Sequence, residues 1–108
     1  MAKNELLDFI IEQLDNYKVE NIETIDIHEK TSLADYLVVG TGRGEKHIES
    51  IAEELKLTLK ERGVATKASE GRNSGWVALD LGDILLHLFT ERVRNTYKLE
   101  QLWIKEIK

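Results

Sequence analysis

The clearest local structure in this chain is encoded by residues 76–90, WVALDLGDILLHLFT. Glycine first in a two-residue loop is typical of a type II′ turn, so Gly82 and Asp83 predict a hairpin between strands at residues 76–81 and 84–90. That turn sets the register, and directly opposed residues share one face of the sheet. The first face is aliphatic and is predicted to be core; its pairs are Leu81 with Ile84, Leu79 with Leu86, and Val77 with Leu88. The second face is mixed; its pairs are Asp80 with Leu85, Ala78 with His87, and Trp76 with Phe89.

Upstream of the hairpin, hydrophobic spacing predicts two helices and three more strands. Apolar residues at helical spacing indicate a helix over residues 4–17 and a second helix that ends at Arg62. Alternating or continuous apolar residues indicate strands over residues 22–28, 36–39 and 64–68. The apolar stripe of the second helix consists of Ile48, Ile51, Ala52, Leu55 and Leu59.

Downstream of the hairpin, the sequence predicts a last helical segment. Thr90 is a candidate helix cap, and Val93 and Tyr97 are four residues apart, which places them on one helical face. Helices and strands in this order predict a single domain over residues 1–108 of the α/β (α+β) class, with a five-stranded mixed sheet packed against helices.

Composition and charge narrow the possible partners. The chain of 108 residues has no cysteine, so neither a disulfide nor a thiol nucleophile is expected. Fifteen Lys and Arg against twenty Asp and Glu give a net charge of −5, which disfavours direct contact with nucleic acid and suits a basic protein partner. Because no signal segment and no apolar run of about 20 residues is visible, we expect a cytoplasmic protein without membrane contact.

Residues 40–44, GTGRG, are the only segment that resembles a phosphate-binding loop. Glycines that lie between a strand and a helix let the backbone approach an anion at the helix N-terminus. The pattern is, however, neither the P-loop nor the dinucleotide fingerprint. We therefore predict a tight turn that ends the strand at residue 39, and we keep a nucleotide-binding or nucleotidyltransferase-like enzyme as the alternative.

Other polar residues do not form a recognisable catalytic or metal site. Asp80 and Asp83 are three apart, whereas metal ligands on one strand face are two apart. The three histidines lack metal-ligand spacing, and no catalytic triad is suggested. No catalytic residue, metal or cofactor is expected. Asp80 is either a partner contact or a structural hydrogen-bond acceptor, and His47, at a helix start, is expected to face solvent.

The aromatic residues of the C-terminal third have two possible roles. Trp76 and Trp103 are the only tryptophans of the chain, and Tyr97 lies between them. Both indoles could belong to the core. Alternatively they bind a partner, because Trp and Tyr provide large contact areas at low entropic cost and dominate binding hot spots.

Several short segments together resemble the ribosomal silencing factor (Iojap) family. They are DYLVV at residues 35–39 followed by Thr41-Gly42; Glu70-Gly71; Trp76 with LDLGD at residues 79–83; His87 with Phe89; and Arg94, Tyr97, Leu99, Glu100, Leu102 and Trp103. Each segment alone is weak, but their order and spacing together are specific.

The resemblance implies a fold like that of nucleotidyltransferases, without their activity, and a function in translation. Proteins of this family bind the large ribosomal subunit through its basic protein fourteen and block joining of the small subunit when nutrients are scarce. A homodimer away from the ribosome is a further possibility. On this resemblance the predicted partner-binding residues are Trp76, Asp80, His87, Tyr97, Leu99, Glu100, Leu102 and Trp103.

Overall fold

A computed structural model describes residues 3–29, 32, 34–66 and 75–97, without the side chains of residues 3, 4, 96 and 97. Its elements in chain order are α1 (Lys3–Asn16), β1 (Glu20–Asp26), β2 (Tyr36–Gly42), α2 (Glu45–Glu61), β3 (Trp76–Asp80), β4 (Ile84–Thr90) and α3 (Glu91–Tyr97). The strands form one sheet in the order β1-β2-β4-β3. The central pair, β2 and β4, is parallel, and both outer pairs are antiparallel. The predicted mixed α/β architecture is confirmed.

The hairpin between β3 and β4 has the predicted register. Its opposed pairs include Trp76 with Phe89, Ala78 with His87 and Asp80 with Leu85. Gly82 adopts a φ of +89°, a conformation that glycine reaches without strain, as the first position of this turn requires. The loop closes through the Leu81 N–H, which donates to the Ile84 carbonyl at 2.9 Å.

The first face of the sheet forms the main core with α1 and α2. All six aliphatic residues of the hairpin's first face are buried, as predicted, and so is the predicted stripe of α2. From α1, the buried residues that complete this core are Leu6, Ile10 and Leu14. These residues recur at intervals of four, so one stripe of α1 faces the sheet.

The second face of the sheet forms a smaller core beside α3. Its buried members are Ile27, Ala34, Leu37, Val39, Phe89 and Val93. Thr90 caps α3, because its hydroxyl accepts the Val93 N–H at 3.4 Å, and this confirms the role predicted from its position before the helix.

The sheet has four strands over the described residues, so the prediction of five is wrong for residues 64–66, which are irregular. The Val64 N–H instead donates to the Leu59 carbonyl at 2.8 Å, and the Gly63 N–H donates to the Lys60 carbonyl at 3.0 Å. This pair of bonds is the Schellman motif that ends a helix. Val64 therefore belongs to the end of α2, while residues 67 and 68 of the predicted strand lie outside the described residues.

The prediction that the glycine segment ends β2 at residue 39 is also wrong. β2 continues to Gly42 because it stays paired with β4, where Gly40 is opposite Leu88 and Gly42 is opposite Thr90. The glycines allow neighbouring elements to pack closely on this strand. A Cβ at Gly40 would lie 2.5 Å from Val19 Cγ1, and one at Gly42 would lie 2.3 Å from Ile48 Cγ2.

Within the ranges that the structure describes, no helix is both long enough and apolar enough to cross a bilayer.

Candidate functional site

The outer part of the second face is only half-buried and is the best candidate for a binding surface. Its residues lie on β3 and β4, at the side of the sheet away from β1. We call this surface the β3–β4 patch and define it as Trp76, Ala78, Asp80, Leu85 and His87, which are all half-buried. The patch combines an indole, an imidazole, two aliphatic groups and a carboxylate, and it contains three of the predicted partner-binding residues.

Trp76 and His87 are joined by a hydrogen bond across the two strands. The Trp76 indole N–H donates to His87 Nδ1 at 2.9 Å. An indole nitrogen can only donate, so Nδ1 must be the acceptor, and the proton of the neutral imidazole must be on Nε2. Burial lowers the pKa of His87 from 6.5 to about 4, and the imidazole is therefore neutral near pH 7.

Ring contacts hold this pair in place over Phe89, which is fully buried. The His87 and Phe89 rings are stacked, with their centroids 6.1 Å apart and their planes 15° apart. The Trp76 and Phe89 rings are tilted, with their centroids 5.1 Å apart. Aromatic pairs with such offsets add about 0.5–1.5 kcal/mol beyond their buried area. Trp76 is therefore partly a core residue: it packs against the smaller core and is half-buried, while its partner-binding role remains a prediction.

Asp80 has a structural role in the hairpin turn. Its Oδ1 accepts the Gly82 N–H at 2.9 Å, an interaction typical of Asx-turns. Of the two alternatives left open by the sequence, the structural hydrogen bond is therefore present. Whether Asp80 also contacts a partner remains a prediction.

Arg94 fixes α3 on the sheet, a role that the sequence did not suggest. Its guanidinium donates to Thr41 Oγ1 at 2.9 Å, to Glu23 Oε2 at 3.0 Å and to the carbonyl of Asn21. The side chain is only 11% exposed. These partners are between 53 and 73 residues away in the sequence, so no local pattern could have revealed them; the place of Arg94 in the family motif was the one available signal.

His47 connects the start of α2 to the end of α1, and the prediction that it faces solvent is wrong. The Arg43 N–H donates to His47 Nδ1 at 2.9 Å, so the ring proton is on Nε2, which donates to the Tyr17 carbonyl at 2.8 Å. The glycines before it are required by packing against Val19 and Ile48. These contacts use the segment at residues 40–44 to hold helices on the sheet, and they give the nucleotide-binding alternative no support.

The remaining predicted partner-binding residues belong to the chain after β4. Tyr97 is the last residue of α3, and its side chain is outside the description. Leu99, Glu100, Leu102 and Trp103 lie outside the described residues. Their roles, like the partner roles of Trp76 and His87, remain predictions.

Over the described residues, no three His, Cys, Asp or Glu side chains are grouped so that they could hold an ion.

Comparison with known proteins identifies the family. The family model described as "Ribosomal silencing factor during starvation" matches residues 1–108. A ribosomal silencing factor from Halalkalibacterium halodurans is 35% identical over 104 residues, which cover 95% of this chain and 89% of the relative. The mouse protein "Mitochondrial assembly of ribosomal large subunit protein 1" is 28% identical over 90% of this chain and 44% of its own length.

A solved structure extends the likeness to the fold. The crystal structure of a protein from Chromobacterium violaceum superposes with a TM-score of 0.89 at 34% identity, covering 95% of this chain and 87% of that one. The family resemblance predicted from short segments is confirmed, and the chain belongs to the ribosomal silencing factor family.

Proposed function

We propose that this protein binds the large ribosomal subunit through its protein fourteen and thereby blocks joining of the small subunit, which represses translation during starvation or stationary phase. Membership of a family of ribosomal silencing factors supports a function in regulating translation at the ribosome. The name of the mouse relative, which refers to the large subunit, supports that subunit as the partner. The similarity to ribosomal silencing factors of bacteria, whose ribosomes are cytoplasmic, leads us to propose that location, with the whole chain acting as one domain.

The observation that carries this proposal is the β3–β4 patch. It presents half-buried indole and imidazole groups beside a carboxylate and aliphatic side chains. Aromatic groups that are held rigidly and only partly covered are typical of binding hot spots, because little entropy is lost when a partner covers them. The net charge of −5 suits a basic ribosomal protein, since opposite charges favour encounter and correct orientation.

The proposed mechanism requires no catalytic group. A protein that binds the free large subunit and not the joined ribosome shifts the joining equilibrium by its difference in affinity for the two states. A difference of roughly 10⁴-fold changes a 1:99 population to 99:1, whereas equal affinity for both states changes nothing. Overlap with the small subunit at the binding site is sufficient to produce that difference.

Sucrose-gradient sedimentation tests the proposal. The protein is expected to co-sediment with free large subunits, to be absent from joined ribosomes, and to reduce joining when it is added before small subunits. Protein that stays at the top of the gradient with both species would contradict it. Tyr97→Ala and Trp103→Ala should each weaken binding about 30-fold, because a hot-spot truncation costs roughly 2 kcal/mol or more.

Leu57→Ala is the matched control for these variants. Leu57 is the one large hydrophobic side chain that is prominently exposed among the described residues, at 59%. It lies on α2, which packs on the first face of the sheet, so its truncation should leave binding unchanged. Equal losses for Leu57→Ala and Trp103→Ala would indicate non-specific adhesion.

The two other possibilities raised by the sequence need separate experiments. A homodimer away from the ribosome would change the mass measured by light scattering as concentration rises, and it is compatible with ribosome binding. The resemblance implies a nucleotidyltransferase-like fold without nucleotidyltransferase activity. Titration with nucleoside triphosphates and magnesium should therefore show no saturable binding.

A further inference from the structure

The His87 side chain has one ring nitrogen occupied and one available. Nδ1 accepts the Trp76 indole N–H at 2.9 Å, which leaves the proton on Nε2. Within the part of the chain that the structure describes, Nε2 has no acceptor. His87 is half-buried, and a donor that is partly removed from water without an acceptor is destabilising, so an acceptor supplied by a partner would be favourable.

The direction of this donor is fixed by the surrounding residues. His87 is opposite Ala78 on β3 and opposite Val39 on β2. Its ring stacks on Phe89 with planes 15° apart, and the bond from Trp76 sets the rotation of the imidazole. The two neighbouring strands and Phe89 on the same strand therefore hold the ring before any partner binds, which lowers the entropic cost of recognition.

We propose that His87 presents its Nε2–H from the β3–β4 patch to a carbonyl oxygen of the protein partner, and that Trp76 is the positioning residue that selects this tautomer. The inference rests on the proposed function, because it assumes that the partner covers this patch. In this arrangement the Trp76 indole N–H donates its hydrogen bond to His87 and not to the partner.

Chemistry favours an uncharged acceptor over a carboxylate or a phosphate. An anionic acceptor close to Nε2 would stabilise the doubly protonated imidazolium. That form carries a proton on Nδ1, which would point at the Trp76 indole N–H and break the hydrogen bond. A neutral carbonyl leaves this tautomer undisturbed, whereas an anion would raise the pKa of the ring, so the Trp76–His87 pair fits a protein carbonyl better than a phosphate oxygen of RNA.

Nitrogen NMR of the His87 imidazole tests the tautomer without any partner. In the wild-type protein near neutral pH, Nδ1 should show the shift of an unprotonated acceptor and Nε2 that of a protonated nitrogen. Trp76→Phe keeps an aromatic ring and removes the donor, so it should produce a mixture of tautomers. A wild-type ring protonated on Nδ1, or a ring unaffected by Trp76→Phe, would overturn the assignment.

Binding to purified large subunits tests the donor itself. His87→Phe retains a ring and removes both nitrogens, and it should weaken binding about tenfold, the value of one well-placed hydrogen bond. His87→Gln places an amide N–H near the position of Nε2 and should recover most of that loss. His87→Asn places its amide near Nδ1 and should not.

A double-mutant cycle separates positioning from direct contact. Trp76→Phe should weaken wild-type binding several-fold but add little in the His87→Phe background, because its effect acts through His87. Equal effects in both backgrounds would make Trp76 a direct contact and overturn its positioning role. Full binding by His87→Phe would overturn the donor role of the His87 Nε2–H and leave the proposed function intact. A wild-type protein that fails to bind large subunits would refute the proposed function, and the tautomer measured by NMR would still hold.

Discussion

Acidification should destabilise this protein through His87. Burial lowers the pKa of its imidazole from 6.5 to about 4 in the folded state, whereas the unfolded chain should have the ordinary value of about 6.5. Between these values the unfolded chain binds the proton and the folded chain does not, so the free energy of unfolding falls as the pH decreases. The stabilisation is complete above about pH 6.5 and is lost as the pH falls towards about 4, below which both states are protonated.

The size of the effect follows from the shift in pKa. A difference of roughly 2.5 units between 6.5 and about 4 corresponds to about 3 kcal/mol at most, since each unit is worth 1.36 kcal/mol. A domain of this length has a free energy of unfolding on the order of 10 kcal/mol. Among the described residues, the charged groups on the second face include Asp80 on β3, Glu20 and Glu23 on β1, and Arg94 on α3. The cause of the shift is burial.

Urea unfolding followed by circular dichroism, from about pH 7 to about pH 4, measures this effect in the wild-type protein and in His87→Phe. The variant keeps an aromatic ring that cannot titrate. Other groups cancel in the difference between the two proteins; one is His28, whose pKa is raised by its hydrogen bond to Asp26 and by the charge of that carboxylate. The wild-type protein should lose about 2–3 kcal/mol more than the variant over this range. Parallel curves would refute the reasoning, since they would mean that His87 is solvated in the folded state.

Three further variants test how the sheet is packed, each measured by urea unfolding. The side chain of Leu86 is only 1% exposed. Leu86→Ala should lower the free energy of unfolding by about 2–5 kcal/mol, because it leaves a cavity in the core. A loss below about 1 kcal/mol would contradict the placement of Leu86 in the core. Gly40→Ala should cost about 1–3 kcal/mol, because its Cβ would lie 2.5 Å from Val19 Cγ1. Gly44→Ala is its control and should be nearly neutral, since nothing lies within 4 Å of the added atom. Arg94→Met should cost about 1–2 kcal/mol and release α3, because the buried Thr41 hydroxyl loses its donor, while the ion pair with the half-exposed Glu23 adds little. An unchanged helix signal with unchanged stability would contradict the anchoring role.

The hairpin could be predicted from the sequence because its determinants are local. A two-residue turn that begins with Gly82 sets the pairing of every later residue, and the alternation of residue types assigns the faces. The stripe of α2 was predictable for the same reason, since helical periodicity is a local property. The register places Trp76 and His87 on the second face, but it does not give their degree of burial, since Phe89 on the same face is fully buried.

Contacts between distant segments could not be predicted in this way. The glycines at positions 40 and 42 indicate a break when neighbouring residues alone are considered. Their role in continuing β2 depends on β4 and on Val19 and Ile48, which belong to other elements. Val64 has the β-branched side chain typical of strands, yet its N–H completes the end of α2, so the helix end takes precedence over β propensity.

The anchoring of α3 limits where a partner can dock on the second face. The Thr90 cap and the bonds of Arg94 hold α3 over β2 and β4, where Val39, Phe89 and Val93 are buried. Among the described residues, α3 covers this part of the second face and the β3–β4 patch beside it stays half-buried, so we propose that a partner docks on the patch. The docking site that we propose there would use side chains fixed by the sheet, such as His87, and the partner-binding residues predicted from the sequence beyond Tyr97. Because α3 packs beside the β3–β4 patch through Val93, we expect Arg94→Met to weaken binding indirectly by releasing α3, whereas His87→Phe should weaken it with α3 still in place.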